Sequence, residues 1–182
     1  MFKHVPNILT AIRLLLIPVI FYFALEENYV LAVVFLTLSG LTDVLDGFIA
    51  RKFNFITDFG TLFDPLADKL TQISTLIVLV IQNIIPVWIL IIVIIKELLM
   101  IAGAAFLYDK NTVIGSRWYG KAATVVFYIA ILISMLNRQF GLNYTFDMYL
   151  YYIALALTIF ALFMYFKTFS KVKKTTKMNE NK

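Results

Sequence analysis

The sequence contains no cysteine, which excludes disulfide bonds, thiolate metal sites and thiol nucleophiles. Charged residues are also scarce, making up 15% of the 182 residues, whereas hydrophobic residues make up 62%. A soluble domain of this length could not bury so much apolar surface, so the expected solvent is lipid. The first apolar stretch retains Arg13 and lacks a small-residue cleavage site, so we expect a retained span and not a signal peptide.

Six apolar stretches follow one another along the chain, and most reach the roughly 20 residues that cross a bilayer as a helix. They lie at about 8–25, 30–50, 59–81, 85–107, 120–136 and 147–166. The sequence therefore predicts an all-α, polytopic membrane protein with six transmembrane helices and an N-terminal interfacial segment. Residues 1–170 are expected to form this membrane domain, and residues 171–182 a basic cytoplasmic tail.

Basic residues concentrate at one end of these predicted spans, which indicates the cytoplasmic side. They are Lys3, Arg51, Lys52, Lys110, Arg117, Lys121, Lys167, Lys171, Lys173, Lys174 and Lys177. We therefore expect both termini in the cytoplasm, in the cytoplasmic membrane of the cell. This asymmetry accounts for nearly all of the net charge of +5, so we expect a bilayer partner and no nucleic acid.

Four aspartates lie at membrane depth, where an ionisable group needs a partner or a function. Asp43 and Asp46 come near the cytoplasmic end of the second predicted span, and Asp64 and Asp68 near the start of the third. Because a short polar connection joins these spans, they run antiparallel and bring the four carboxylates to one depth. Pro65 could open the third helix beside Asp64.

Helical spacing places the acids on two facing stripes that also carry small residues. The stripes are Asp43, Asp46, Gly47 and Ala50 on one helix, and Gly60, Asp64 and Asp68 on the next. The small residues leave room for a ligand to approach the backbone. Four carboxylates in a low-dielectric pocket require protonation or bound cations, and oxygen ligands suit Mg²⁺ or Mn²⁺.

Two alternatives remain at this point of the argument. The acids could form structural ion pairs with Arg51, Lys52 and Lys69. They could also line an ion or proton pathway, as membrane carboxylates often do, which would make the protein a cation-coupled transporter.

Read as one string, this region resembles the complete signature of the CDP-alcohol phosphotransferase (CDP-alcohol phosphatidyltransferase) family. The string is Asp43-x2-Asp46-Gly47-x2-Ala50-Arg51-x8-Gly60-x3-Asp64-x3-Asp68. The resemblance implies a homodimeric enzyme that transfers a substituted phosphate from a CDP-linked lipid to an alcohol, releases CMP and uses two divalent ions, Mg²⁺ or Mn²⁺.

The resemblance also implies roles for individual residues. Asp43, Asp46 and Asp64 would bind metal, with Asp68 as a shared ligand or the general base. The residues expected to line the CDP site are Asp43, Gly47, Ala50, Arg51 and Gly60. The expected donor is CDP-diacylglycerol, and an acceptor hydroxyl would need a nearby carboxylate to take its proton.

The acceptor is indicated by weaker features. The opening Pro6–Arg13 resembles that of the phosphatidylglycerophosphate synthase branch, whose acceptor is glycerol 3-phosphate; an interfacial helix with a snorkelling Arg13 is the alternative. Lys96, Arg117 and Lys121 are the candidates for binding the acceptor phosphate, and the alternative for Lys96 is a structural ion pair with Glu97. The run 120–124 (Gly-Lys-Ala-Ala-Thr) also resembles cardiolipin synthases, which use phosphatidylglycerol, and inositol phosphate is a further candidate acceptor.

Overall fold

A computed structural model describes residues 5–53, 58–108, 118–142 and 145–180 of the chain. Side chains are described for 7–49, 52–53, 63–101, 120–142, 145–164 and 166–167. The described chain forms six helices and no strand. They are α1 (Val5–Leu25), α2 (Tyr29–Phe53), α3 (Asp58–Ile81), α4 (Val87–Tyr108), α5 (Trp118–Phe140) and α6 (Phe146–Glu180). The predicted all-α class and the number of helices are confirmed.

Four of the six helices are long and apolar enough to cross a membrane, judged over the described residues. These stretches are Asn7–Leu25, Tyr29–Ile49, Gly120–Phe140 and Phe146–Met164. α3 carries Asp64, Asp68 and Lys69 close together, and the side chains of α4 are described only as far as Ile101. Spanning by α3 and α4 therefore stays a prediction. α1 begins at Val5, the first residue that the structure describes, so residues 1–4 of the predicted interfacial segment lie outside the described residues.

Three helices, α1, α3 and α5, end in the same kind of turn, with one residue in the left-handed conformation. These residues are Glu27, Asn83 and Gly141, with φ of 58°, 55° and 60°. In each turn the next N–H donates back to a carbonyl five residues earlier, at 2.9 Å. This bond satisfies a carbonyl that the helix end leaves free.

Side chains from elsewhere in the chain complete the end of α1 and the start of α2. Gln82 donates its amide N–H to the carbonyl of Leu25, at 2.9 Å. The side-chain oxygen of Gln139 accepts from the backbone N–H of Tyr29 at 2.8 Å, at the start of α2. These bonds satisfy backbone groups at helix ends, where no intrahelical partner exists.

The chain divides into two compact units, Met1–Leu90 with Ile131–Tyr144, and Ile91–Ala130 with Thr145–Lys182. In the first unit, α1 packs against both α2 and α3. Phe23 of α1 stacks on Phe35 of α2 with ring centroids 5.5 Å apart. In the second unit, Phe127 and Tyr151 are both buried and in contact, with centroids 6.2 Å apart.

The described surface is rich in large apolar side chains, as a lipid-facing surface requires. Leu15 is 70% exposed, Val44 66% and Phe166 71%. Polar and charged side chains, by contrast, are found in the interior of the first unit. They include Thr10, Arg13, Ser39, Asp46, Thr71, Gln72, Thr75 and Ser134. A polar interior enclosed by an apolar exterior marks a functional region in a membrane protein.

Candidate active site

The site is assembled in the first unit, from α1, α2 and α3. α2 supplies Asp43 and Asp46, which are three residues apart and so lie on one helical face. α3 supplies Asp64 and Asp68, which are four residues apart on one face of that helix. α3 is helical throughout despite Pro65, so the expected opening of the helix beside Asp64 is wrong.

Arg13 of α1 lies among these carboxylates. One of its terminal nitrogens, Nη1, is 2.9 Å from Asp43 Oδ1 and 3.2 Å from Asp68 Oδ1. The other terminal nitrogen, Nη2, donates to Asp46 Oδ2. The side chain is only 1% exposed. A buried guanidinium is tolerated only when negative charge surrounds it, and here carboxylates from two helices supply that charge.

Thr10, one helical turn before Arg13, links α1 to the fourth acid. Its hydroxyl Oγ1 donates to Asp64 Oδ1. Thr10 is fully buried, so this bond is shielded from competing water. Two side chains of α1 therefore contact all four signature aspartates.

The acids differ in their access to the outside of the protein. The Asp46 side chain is 3% exposed, whereas those of Asp43 and Asp68 are 40% and 45% exposed. Asp46 can therefore contact only groups inside the cluster. Asp43 and Asp68 stand where a substrate could approach them.

The polar stripe of α3 continues one turn deeper than the sequence analysis placed it. Gln72 lies four residues after Asp68, is 3% exposed, and its Nε2 has no hydrogen-bond partner in the described part of the chain. The neighbouring hydroxyls of Thr71 and Thr75 donate to backbone carbonyls of their own helix, at 2.8 and 2.7 Å. The repeated spacing of four residues could have revealed Gln72 in the sequence.

The donor chemistry of the cluster fits hard divalent cations. All of its potential ligands are carboxylate oxygens, and the four acids can carry four negative charges against the single positive charge of Arg13. Within the described residues, no three acidic or histidine side chains form a ready-made metal site. The guanidinium of Arg13 contacts three of the carboxylates that would have to supply one.

Of the predicted CDP-site residues, Gly47 lies beside Asp46 on α2 and is half-buried. Ala50 and Arg51 fall within helix α2 and Gly60 within α3, but their side-chain environments lie outside the described residues. Lys52 is exposed and lies over the ring of Phe48, 5.4 Å from its centroid. Arg13 forms ion pairs with three of the acids, a role for which the sequence analysis had not weighed it.

Two of the predicted acceptor residues, Lys96 and Lys121, belong to the second unit. Lys96 is 11% exposed and forms an ion pair with its neighbour Glu97, the partner that the structural alternative assigned to it. Lys121 is exposed in the first turns of α5. Arg117 lies outside the described residues.

The snorkelling alternative for Arg13 is wrong. Its guanidinium points to the protein interior because acids on α2 and α3 lie at the same depth. Asn7, Thr10 and Arg13 recur every three residues in the sequence, which places them near one face of α1. Thr10 and Arg13 show that this face is turned toward α2 and α3.

Comparison with known proteins agrees with the signature. Residues 3–160 match the family model described as CDP-alcohol phosphatidyltransferase. The chain is 36% identical over 144 residues to the CDP-diacylglycerol–glycerol-3-phosphate 3-phosphatidyltransferase of Aquifex aeolicus, which covers 78% of this chain and 80% of that protein. It is 32% identical over 170 residues to the Haemophilus influenzae protein of the same name, covering 89% and 91%. The Streptomyces coelicolor protein named cardiolipin synthase (CMP-forming) is 32% identical over 147 residues, covering 75% and 67%.

Proposed function

Because the chain belongs to the CDP-alcohol phosphatidyltransferase family, we propose that it transfers a phosphatidyl group from CDP-diacylglycerol to glycerol 3-phosphate. The products are phosphatidylglycerophosphate and CMP. The observation that carries the proposal is the convergence of all four signature aspartates on Thr10 and Arg13. The names of the Aquifex and Haemophilus relatives support glycerol 3-phosphate as the acceptor.

In this reaction the four aspartates have two roles. Asp43, Asp46 and Asp64 would hold the divalent ions, and Asp68, whose side chain is 45% exposed, would take the proton of the acceptor hydroxyl or share a ligand position. When bound, two Mg²⁺ or Mn²⁺ ions would polarise the phosphoryl group and neutralise charge on the departing CMP. Gly47, Ala50 and Gly60 leave space for the nucleotide, and Arg51 neutralises phosphate from the membrane edge.

The phosphate of the acceptor is assigned to Lys96, Arg117 and Lys121. Lysine and arginine form charge-assisted hydrogen bonds with phosphate, which makes them suited to an acceptor with a phosphate group. The ion pair between Lys96 and Glu97 does not use all donors of the ammonium group, which carries three.

Cardiolipin synthesis is the second candidate, with phosphatidylglycerol as the acceptor. It is favoured by the similarity to the Streptomyces protein and by the Gly-Lys-Ala-Ala-Thr run at 120–124. The Streptomyces protein shares a smaller part of its length with this chain than the other two relatives do.

We place the enzyme in the cytoplasmic membrane with its active site at the cytoplasmic side, following the distribution of basic residues. The homodimer implied by the family resemblance is part of the same proposal. Size-exclusion chromatography with light scattering would measure it, and a monomer at active concentrations would contradict it.

An acceptor panel tests the function directly. Purified protein is supplied with CDP-diacylglycerol, Mg²⁺ or Mn²⁺, and one acceptor at a time: glycerol 3-phosphate, phosphatidylglycerol, inositol phosphate, serine or inositol. We expect CMP release with glycerol 3-phosphate and none in excess chelator. Release with phosphatidylglycerol alone would establish the cardiolipin synthase instead. Ion flux in proteoliposomes without CMP release under any acceptor would overturn the enzyme reading in favour of a transporter.

A further inference from the structure

Arg13 supplies positive charge at the place where the proposed divalent ions must bind. Its two terminal nitrogens contact Asp43, Asp46 and Asp68, three of the four carboxylates proposed as ligands. The guanidinium and the ions would therefore use the same set of oxygens. Arg13 is 1% exposed, so its charge is not dispersed into solvent.

Like charges at such separations repel strongly in a poorly solvated site. A unit charge and a divalent ion within about 5 Å repel by several kcal/mol even at an effective dielectric constant near 20. The carboxylates cannot contact the guanidinium as closely as they do here and also hold two divalent ions without this cost.

The acids hold only part of the guanidinium. Nη1 and Nη2 contact the acids, whereas the buried Nε has no hydrogen-bond partner in the described part of the chain. An arginine fixed for purely structural reasons would be expected to use this donor as well.

We propose that Arg13 is a positioning residue of the active site: it gathers three carboxylates as an internal counter-cation and competes with the divalent ions for them. This inference rests on the metal requirement of the proposed function. Arg13 thus prevents mutual repulsion of the acids before the ions bind, and weakens binding of the ions as a consequence.

The test measures metal binding without substrate. Full-length protein in phosphatidylcholine nanodiscs is titrated with Mn²⁺, and free Mn²⁺ is followed by electron paramagnetic resonance. We expect Arg13→Met and Arg13→Gln, which both remove the charge, to bind Mn²⁺ at least tenfold more tightly than the wild type. Arg13→Gln keeps an amide donor for the carboxylates, so it protects against loss of folding.

Arg138→Met is the matched control, because it removes the same group from an exposed position in the last turn of α5. Its Mn²⁺ affinity should stay within twofold of the wild type. Thermal melting supplies a second readout. In chelator the Arg13 variants should melt below the wild type, and Mn²⁺ should raise their melting temperature by more than it raises that of the wild type.

Equal or weaker Mn²⁺ binding by folded Arg13 variants would overturn the inference, since a purely structural arginine would not compete with metal. Tighter binding by Arg138→Met as well would overturn it by showing an effect of net charge. Failure of both Arg13 variants to fold in saturating Mn²⁺ would also overturn it, because the ions would then not replace the guanidinium. A wild-type protein that binds no Mn²⁺ would refute the metal site of the proposed function itself. CMP release in excess chelator would refute that metal site independently.

Discussion

Asp43, Asp46 and Asp68 share one guanidinium but differ in exposure, and that difference sets what each can do. Asp46 is enclosed and can act only on groups inside the cluster, whereas Asp43 and Asp68 are open to a substrate. Asp64 differs from these three because the side chain of α1 that contacts it is a neutral donor, the hydroxyl of Thr10.

Conversion of the metal-binding acids to asparagine tests this division. Asp43→Asn, Asp46→Asn and Asp64→Asn should each lower kcat/KM for CMP release at least about a hundredfold, because each removes a charged ligand and its stabilisation of the transition state. Asp68→Asn should still bind CDP-diacylglycerol while losing turnover. Glu26→Gln, an exposed acid in the turn after α1, is the control and should retain activity. Substantial turnover by Asp68→Asn would mean that another group takes the proton.

Lys96 is tested by removing its charge while keeping its volume. If it binds the acceptor phosphate, Lys96→Met should raise the KM for glycerol 3-phosphate about ten- to a hundredfold, since such a contact contributes roughly 1.5–3 kcal/mol. The KM for CDP-diacylglycerol should change little. Steady-state kinetics with each substrate varied in turn makes the measurement.

Two controls accompany that variant. Lys167→Met removes an exposed lysine and should leave both constants unchanged. A melting curve is needed because Glu97, buried and paired with Lys96, could destabilise the protein when its partner is lost. An unchanged acceptor KM in a stable Lys96→Met protein would reduce Lys96 to a structural ion pair.

The aspartates could be predicted from the sequence because their helical spacing, and the free energy needed to place them in lipid, can both be judged from the neighbouring residues. The role of Arg13 depends on depth as well. Arg13 lies twelve residues before α1 ends at Leu25, and Asp43 lies fourteen residues after α2 begins at Tyr29. With a short turn and equal rise per residue, the two come to nearly the same level. What the sequence could not supply was the rotation of α1, which decides whether Arg13 faces lipid or its neighbouring helices.

Among the helices, the three similar turns that close α1, α3 and α5 differ in how well their residue suits the left-handed conformation. Gly141 adopts it without steric cost, whereas Glu27 and Asn83 carry a Cβ. Polar residues at 26–28 and 82–83, and the glycine at 141, indicate turns in the sequence. The sequence could not predict the positive φ of Glu27, because glutamate has no preference for it.

Exchanges at two of these turns should change stability in opposite directions. Gly141→Ala should lower the free energy of unfolding by about 1–2 kcal/mol, which is the strain of an alanine in the left-handed conformation. No steric clash adds to this strain, because the new Cβ would meet nothing within 4 Å. Glu27→Gly should raise it by about 0.5–1 kcal/mol, once the greater freedom of glycine in the unfolded chain is subtracted. Melting temperatures in detergent make the comparison, at about 2–4 °C per kcal/mol.

Gly40→Ala is the control for Gly141→Ala, because Gly40 lies within helix α2 and a Cβ there also meets nothing within 4 Å. Alanine should be neutral or stabilising at this position. Equal destabilisation by both alanine substitutions would contradict the assignment of strain to the turn.

The predicted spans agree with the helices in number and order, and the differences lie at their ends. α5 continues to Phe140, beyond the predicted end at 136, and α6 continues to Glu180 through the predicted tail. Hydropathy locates the part of a helix in lipid but does not detect where helical hydrogen bonding stops. Basic and polar residues such as those after 167 leave the bilayer without ending the helix.

At the scale of the whole molecule, the absence of cysteine makes the orientation in the membrane directly measurable. Single cysteines can be placed at exposed positions without removing any native thiol. Glu26→Cys should react with a membrane-impermeant maleimide in intact cells. Lys52→Cys and Lys167→Cys should react only after the cells are permeabilised, because the positive-inside rule places them in the cytoplasm.

The reverse labelling pattern would contradict the predicted orientation. Labelling of Lys52→Cys and Lys167→Cys from opposite sides would instead contradict the number of spans between them. The CMP-release assay on each cysteine variant serves as the control that the protein is correctly inserted.

The position of Arg13 on the first helix also matters while the ribosome is still making the chain. A single aspartate or arginine at the centre of a membrane helix raises the free energy of insertion by about 2.5–3.5 kcal/mol. α1 and α2 are joined by only three residues, 26–28, so they can leave the translocon as a closed hairpin. Within that hairpin Arg13 contacts both Asp43 and Asp46, so one positive charge is shared between the two carboxylates that enter lipid with it. This pairing uses only α1 and α2, so insertion of these two acids does not depend on α3, which carries Asp64 and Asp68.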